Sequence, residues 1–341
     1  MRDEGLLVIT GDDVAALLAG REAEIVEVVG RAYATHGVGD SSLPHSTFLR
    51  FPGNEVDRII ALPAFLGDSF GVAGLKWISS FPANVRRGMA RASAVLILND
   101  CQTGRPAALL ESSLISARRT AASAALGARL LLDGHDPGQV GLIGTGVINL
   151  EIARFLRSVL GAESFLLFDI DAARTGRFAA ALARPEGEVK TAIADSAEQV
   201  LASCHLVAFA TTAIRPHIHD LSLCPPGAAL LHISLRDLAA EAILACDNVV
   251  DDVDHVCRAQ TSVHLAEQAS GGRGFIRCTL ADVLAGRAPA RRGDGATAVF
   301  SPFGLGVLDI AVGNLVLERA RATGRGTRIA SFLPSGGELF A

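Results

Sequence analysis

Lysine is rare in this chain, and one of its two lysines sits where a charge is least expected. Lys76 lies inside Val72-Ala73-Gly74-Leu75-Lys76-Trp77-Ile78, in the middle of an apolar strand. Such a lysine points outward to water, pairs with a substrate carboxylate, or has its pKa lowered by burial and moves a proton. Between Lys76 and Arg119 stand seven basic residues (Lys76, Arg86, Arg87, Arg91, Arg105, Arg118, Arg119) against two acidic ones, Asp100 and Glu111. In a chain with a formal net charge of −5 this excess suggests an anionic substrate, because guanidinium forks take carboxylates bidentately. A solvated basic face is the other reading, and pattern alone does not separate them. A carboxylate stands further on, in Ile233-Ser234-Leu235-Arg236-Asp237, just past the apolar strand Ala228–Ile233. Ligands of open parallel sheets bind at the carboxyl ends of strands, so Asp237 is placed either to move a proton or to cap a helix.

A second constellation lies near the middle of the chain. The apolar stretch Gln139–Ile143 runs into Gly144-Thr145-Gly146, followed by the helical pattern Ile152, Phe155, Leu156, Leu160. A further strand, Phe165–Phe168, ends on Asp169, twenty-five residues after Gly144. This order is that of a dinucleotide site: glycines for the turn and close approach, a helix N-terminus for the pyrophosphate, an acid for the ribose. Asp169 favours NAD over NADP by repelling a 2′-phosphate, while nearby Arg174 keeps NADP open. Asn149 stands where a third glycine would be, a position that governs helix packing more than phosphate contact. Thr211-Thr212, after strand 206–210, is placed to line the cofactor cleft or to make a turn. His217-x-His219 lacks a third ligand at a telling spacing and reads as a loop, not a metal site.

The elements that must position these residues fall into two styles. Helical periodicity runs over 12–35 (Val14, Leu17, Leu18, Ile25, Val28, Val29), with Thr10 or Asp12 as cap. Strand patterns follow at 46–51, 57–62, 71–79 and 92–98, and Asn99–Gly104 turns into Pro106–Leu110, an antiparallel unit. A helix is expected over Ser112–Leu132. Strands and helices then alternate, with strands at 140–143, 164–168, 188–193, 206–210, 228–233 and 248–250, which argues for a parallel sheet with crossover helices. Residues 286–298 read as a loop and Phe303–Ala322 as a helix.

Length and composition set bounds. The 341 residues suit two domains, and half of them are apolar, as in a globular protein. The acidic balance argues against nucleic acid as the main partner. No apolar run spans a membrane without interruption, and Met1-Arg2-Asp3-Glu4 has no signal-peptide pattern. The six cysteines form no Cys-x-x-Cys pair and read as thiols in a reducing cytoplasm.

Taken together, Lys76, the stretch Leu114–Ala122, Gly144-Thr145-Gly146 and Phe303-Gly304 with Asp309 resemble the ornithine cyclodeaminase/mu-crystallin family along nearly the whole chain. Within it, Asp57–Pro63, Gly74–Ile78, Met89–Ser93 leading to Ile97–Asp100, and Ile233–Asp237 are most similar to the diaminopropionate-forming dehydrogenases of siderophore and peptide-antibiotic pathways. The resemblance implies an α/β fold: a Rossmann dinucleotide-binding domain over 119–303, and an α+β substrate and dimerisation domain from 1–118 with 304–341. It implies NAD-dependent oxidative hydrolysis of N-(2-amino-2-carboxyethyl)-L-glutamate to L-2,3-diaminopropionate and 2-oxoglutarate, in a cytoplasmic homodimer. Lys76 and Arg119 would bind carboxylates, with Arg50 and Arg91 as further contacts, and Asp237 would transfer protons, with Lys76 assisting. Gly144, Thr145, Gly146, Val147, Ile148, Asp169, Thr211 and Ser93 would hold NAD. One departure is telling: cyclodeaminases carry a glutamate three residues before the strand proline, where this chain has Ile60. An ornithine cyclodeaminase, a ketimine or imino-acid reductase, and a non-catalytic mu-crystallin-like binder of NAD(P) are the competing expectations.

Overall fold

The structure, a computed structural model, describes residues 5–183, 189–293 and 295–333. Met1–Glu4, the first residue of the 188–193 strand, position 294 of the 286–298 loop and the stretch 334–341 lie outside the described residues. The chain forms two compact units. One comprises 1–21, 35–116 and 305–341; the other comprises 22–34 and 117–304.

The first unit is built on an eight-stranded sheet. Its order is Thr327–Ile329, Leu6–Ile9, Pro106–Glu111, Ala92–Asn99, Val72–Ser80, Asn54–Leu66 and Ser41–Ser42, with Thr47–Phe51 also pairing with Asn54–Leu66. Most pairings are antiparallel, as expected, but Leu6–Ile9 runs parallel to Pro106–Glu111, so the sheet is mixed. Register sets the faces, because side chains alternate along each strand. Lys76 lies opposite Leu62 and Leu96, while Trp77 lies opposite Ala61 and Val95. The Lys76 face is covered by the helix Gly306–Thr323: Ile310 reaches Gly74, and Gly313 lies against Leu96. On the other face Leu49, Trp77 and Val95 stay partly exposed.

Residues 12–35 form two helices, Gly11–Leu18 and Glu22–Gly37, separated by extended backbone at Ala19. Thr10, not Asp12, is the cap, accepting from the Asp13 amide. Residues 22–34 of the second helix group with the second unit, whereas the family resemblance implies that they belong with 1–118. The contacts show why: the Tyr33 hydroxyl meets Ser123 Oγ at 2.7 Å, and Glu22 lies 3.5 Å from Arg118.

Among the described residues the second unit carries an eight-stranded sheet, its strands all parallel. Their order is Lys190–Ile193, Ser164–Phe168, Gln139–Ile143, Leu206–Phe209, Ala229–His232, Ala298–Ser301, Asp247–Val250 and Ile276–Thr279. The central strands are buried along their whole length, as parallel strands covered on both faces must be. Strand order reverses between Gln139–Ile143 and Leu206–Phe209. That switch point is where an open α/β sheet leaves a crevice for a ligand.

Candidate active site

The Gly-x-Gly turn sits at this switch point. Gly144 has φ +89°, and a Cβ on it would come 2.7 Å from the Ala210 carbonyl oxygen, so only glycine lets the two strand ends approach this closely. Gly146 is the N-cap of the helix Val147–Leu160, and no side chain caps it, which leaves the first-turn amides facing an incoming anion. Asn149 makes up for the missing third glycine in its own way. It is fully buried, and its amide donates to the carbonyls of Ile143 (3.0 Å) and Gly144 (2.6 Å), tying the helix to the turn. Asp169 Oδ2 accepts from the Thr145 amide (2.7 Å) and hydroxyl (2.9 Å), and Oδ1 from the Asp171 amide (3.0 Å). A carboxylate has about four acceptor directions, so capacity remains for a ribose hydroxyl.

Beyond the strand Ala229–His232, two places along the sheet from Gln139–Ile143, Asp237 is fully buried and its carboxylate is held from several sides. The Thr211 hydroxyl donates to Oδ1 and the Ser234 hydroxyl to Oδ2, while the His232 ring lies 3.5 Å from Oδ2. Burial pushes the Asp237 pKa up, but His232 and the two hydroxyls outweigh it and hold the group below the ordinary carboxylate range. The helix-cap alternative is ruled out, because the next helix, Ala240–Leu244, is capped at Ala239. The turn that delivers Asp237 is strained: Leu235 has φ +69°, and Arg236 fastens it by donating to the carbonyls of Ala259 (2.7 Å) and Gln260 (3.1 Å), themselves in left-handed backbone.

In the first unit, Lys76 is 2% exposed and forms an ion pair with fully buried Asp309 at 2.7 Å. Its ammonium also donates to Ser116 Oγ at 3.2 Å, so the fold holds it in place from both the helix Gly306–Thr323 and the helix Ser113–Leu131.

Residues 22–324 match the sequence pattern of the ornithine cyclodeaminase/mu-crystallin family. The chain belongs to that family. It is 26% identical over 331 residues to the N-((2S)-2-amino-2-carboxyethyl)-L-glutamate dehydrogenase of Staphylococcus aureus, covering 95% of this chain and 98% of the relative. The fold matches the solved structure of Thermococcus litoralis Delta(1)-pyrroline-2-carboxylate reductase in complex with NADH and L-proline, with a TM-score of 0.88 at 25% identity over 95% of this chain and all of the other. It also matches an archaeal alanine dehydrogenase dimer with bound NAD, with a TM-score of 0.85 at 25% identity over 96% and 99% of the two chains.

The remaining residues expected from the family resemblance are placed as follows. Arg119, on the helix Ser113–Leu131 and 8% exposed, lies against Gly304. Arg91 is half-buried, which lowers its pKa, and a desolvated guanidinium of this kind gains from a carboxylate partner. Arg50 is exposed on the strand Thr47–Phe51, with its guanidinium 5.8 Å from the Phe48 ring centre. Ser93 bonds Ser79 Oγ at 2.9 Å on the sheet face opposite Lys76. His219 pairs with Glu241 at 2.8 Å, and no metal-ligand cluster occurs among the described residues. Sequence reasoning missed His232, Ser234 and Ser301, which surround or back Asp237. The available signal was a histidine at the end of a wholly apolar strand, where a buried polar group needs partners.

Replacing Asp169 with serine keeps a hydroxyl for Thr145 but removes the charge. The expected result is an NAD+ affinity about tenfold weaker, about 1.4 kcal/mol, with NADP+ binding gained. Fluorescence titration with NADH and NADPH checks this; unchanged selectivity would detach Asp169 from the ribose.

Proposed function

We propose that this chain oxidises N-(2-amino-2-carboxyethyl)-L-glutamate with NAD+ and water to L-2,3-diaminopropionate and 2-oxoglutarate. The broader class is an oxidoreductase of the ornithine cyclodeaminase/mu-crystallin family acting on amino or imino acids with a nicotinamide dinucleotide. The observation that carries the finer reading is Asp237: a buried carboxylate kept ionised beside the dinucleotide switch point. It is set to accept a proton, as is needed when an amine loses a hydride from its carbon. A storage protein has no use for such a group.

Gly144, Thr145, Gly146, Val147, Ile148, Asp169 and Thr211 fit the dinucleotide, which supplies the hydride acceptor when bound. Arg119 and Lys76 hold substrate carboxylates and so orient the reacting carbon. Asp237 takes the amine proton. The resulting imine carbon is attacked by water, the carbinolamine collapses, and the amine leaves with a proton. Ile60 supports this branch. It lies two residues from Leu62, the cross-strand partner of Lys76, and so on the same sheet face. No carboxylate stands there to receive the side-chain amine of ornithine. A second reading, reduction of a cyclic imino acid, is supported by the fold likeness to the pyrroline-2-carboxylate reductase.

The partly exposed apolar face carrying Leu49, Trp77 and Val95 supports a homodimer, as does the dimer of the archaeal relative. We place the protein in the cytoplasm on its six free cysteines. No helix among the described residues is long and apolar enough to cross a membrane.

The test is reduced-nicotinamide absorbance with purified protein, NAD+ and the synthetic substrate, beside ornithine and alanine, and with NADH and pyrroline-2-carboxylate in the reverse sense. Reduction with the first substrate alone, with release of 2-oxoglutarate, is the expected result. Ammonia from ornithine, or oxidation of NADH by the cyclic imine, would overturn it in favour of the corresponding activity.

A further inference from the structure

We infer that Asp251 and Gly304 are positioning residues for Arg119: Asp251 pins the Phe303–Gly304 turn, and the bare Cα of Gly304 seats the Arg119 guanidinium as a carboxylate-binding fork. The inference rests on the reading of Arg119 as a substrate-carboxylate ligand.

Asp251 follows the strand Asp247–Val250, and Phe303 follows Ala298–Ser301. These strands are parallel neighbours with Val250 opposite Ser301, so both residues leave the sheet at its carboxyl end. The Asp251 side chain is 1% exposed and accepts three backbone amides: Phe303 at 2.9 Å and Asp252 at 2.8 Å on Oδ1, Gly304 at 2.7 Å on Oδ2. Two of those donors are consecutive residues of one turn, so a single carboxylate fixes the path of that turn. Gly304 has φ +93°, which other residues adopt only with strain. A Cβ built there would lie 2.8 Å from Nη1, 3.2 Å from Nη2 and 3.5 Å from Cζ of Arg119. All three distances are short together, so the guanidinium lies across the glycine. A methyl group at this position has to push it aside.

The arrangement is backed from within. One helical turn past Arg119, Ser123 Oγ meets the buried Tyr33 hydroxyl at 2.7 Å. Burial and the Asp251 carboxylate raise the Tyr33 pKa, and the Ser123 bond and then the Arg119 charge oppose them, so both charges reach the same phenol. Neither Asp251 nor Gly304 needs to touch substrate for this. Their effect passes through the geometry of a fork whose bidentate fit depends on orientation.

Three variants, Gly304→Ala, Asp251→Asn and Arg119→Ala, test the inference by three readouts: KM and kcat with N-(2-amino-2-carboxyethyl)-L-glutamate, 2-oxoglutarate affinity by calorimetry, and NADH affinity by fluorescence. Gly304→Ala and Asp251→Asn are each expected to raise KM and weaken 2-oxoglutarate at least about tenfold, with kcat falling less and NADH affinity within about twofold. Gly304→Ala on top of Arg119→Ala should add nothing further, because the seat then has no occupant. Should Gly304→Ala fail to fold, Asp251→Asn alone and on top of Arg119→Ala still decide, since the second should add nothing to the loss from Arg119→Ala. Wild-type KM and 2-oxoglutarate affinity in both positioning variants, with loss in Arg119→Ala, would overturn the inference and leave the reading of Arg119 standing. Wild-type behaviour of Arg119→Ala in both readouts would overturn both.

Discussion

Replacing Lys76 with alanine is expected to destabilise the protein by about 3–5 kcal/mol, the usual cost of stranding one member of a buried ion pair, and to abolish turnover. The pair is deeply buried, with Lys76 2% and Asp309 0% exposed at 2.7 Å, so deleting the ammonium leaves a buried carboxyl group without its cation. Loss of activity in the single variant therefore says little, since a weakened fold explains it equally well. The double variant Lys76→Met, Asp309→Leu separates the two causes. Replacing both charges by apolar groups of similar volume removes the stranded charge, and such exchanges are often neutral or stabilising. Its urea midpoint should return to that of the wild type or above it, while turnover with the synthetic substrate and NAD+ stays at least about a hundredfold down, because no ammonium remains for the substrate carboxylate. Wild-type turnover in the double variant would reduce Lys76 to a structural cation.

The reach of sequence reasoning follows the range of the signals. The dinucleotide turn was legible because strand, glycines, helix and acid follow one another within a few turns of chain. The strands Gln139–Ile143 and Ser164–Phe168 and the helix Val147–Leu160 fall within a residue or two of expectation. Lys76 stood out for being charged inside an apolar strand. Its partner Asp309 is remote in sequence and buried in the first turn of the helix Gly306–Thr323, so the pairing exists only after the helix packs on the sheet. The break at Ala19 stayed hidden because Leu18 and Ile25 are seven residues apart, two helical turns, and the apolar stripe keeps phase across the gap. Ala298–Ser301 was missed because four residues give no periodicity, and a strand buried on both faces shows no alternation. Leu6–Ile9 was missed likewise, and with it the parallel pairing that makes the first sheet mixed. His232 signals only that it needs a partner, and Ser234 carries no signal of its own; the role of both is set by the strained turn at Leu235 that brings Asp237 back onto them.

Replacing Asp237 with asparagine preserves shape and removes charge, so it isolates the proton-transfer role from packing. Turnover is expected to fall by about 10²–10⁴-fold, the usual contribution of a positioned acid or base, with NADH affinity within about twofold of wild type. Stability gives an independent reading of the protonation state. His232, Ser234 and Thr211 outweigh burial and hold the native Asp237 pKa below that of the unfolded chain, about 3.9. A depressed pKa contributes stability that is fully present above the unfolded value and is lost as pH falls through the native one. The advantage of the wild type over Asp237→Asn in urea should therefore be constant from neutral pH down to about 4 and shrink below it. An advantage that instead grows on acidification would mean that Asp237 is protonated in the folded protein. The same sign bears on direction of reaction. A carboxylate held ionised accepts the amine proton during oxidation, so kcat/KM should fall as Asp237 protonates at low pH. An enzyme that needs Asp237 as a proton donor to an imine would show the opposite limb, rising as pH falls.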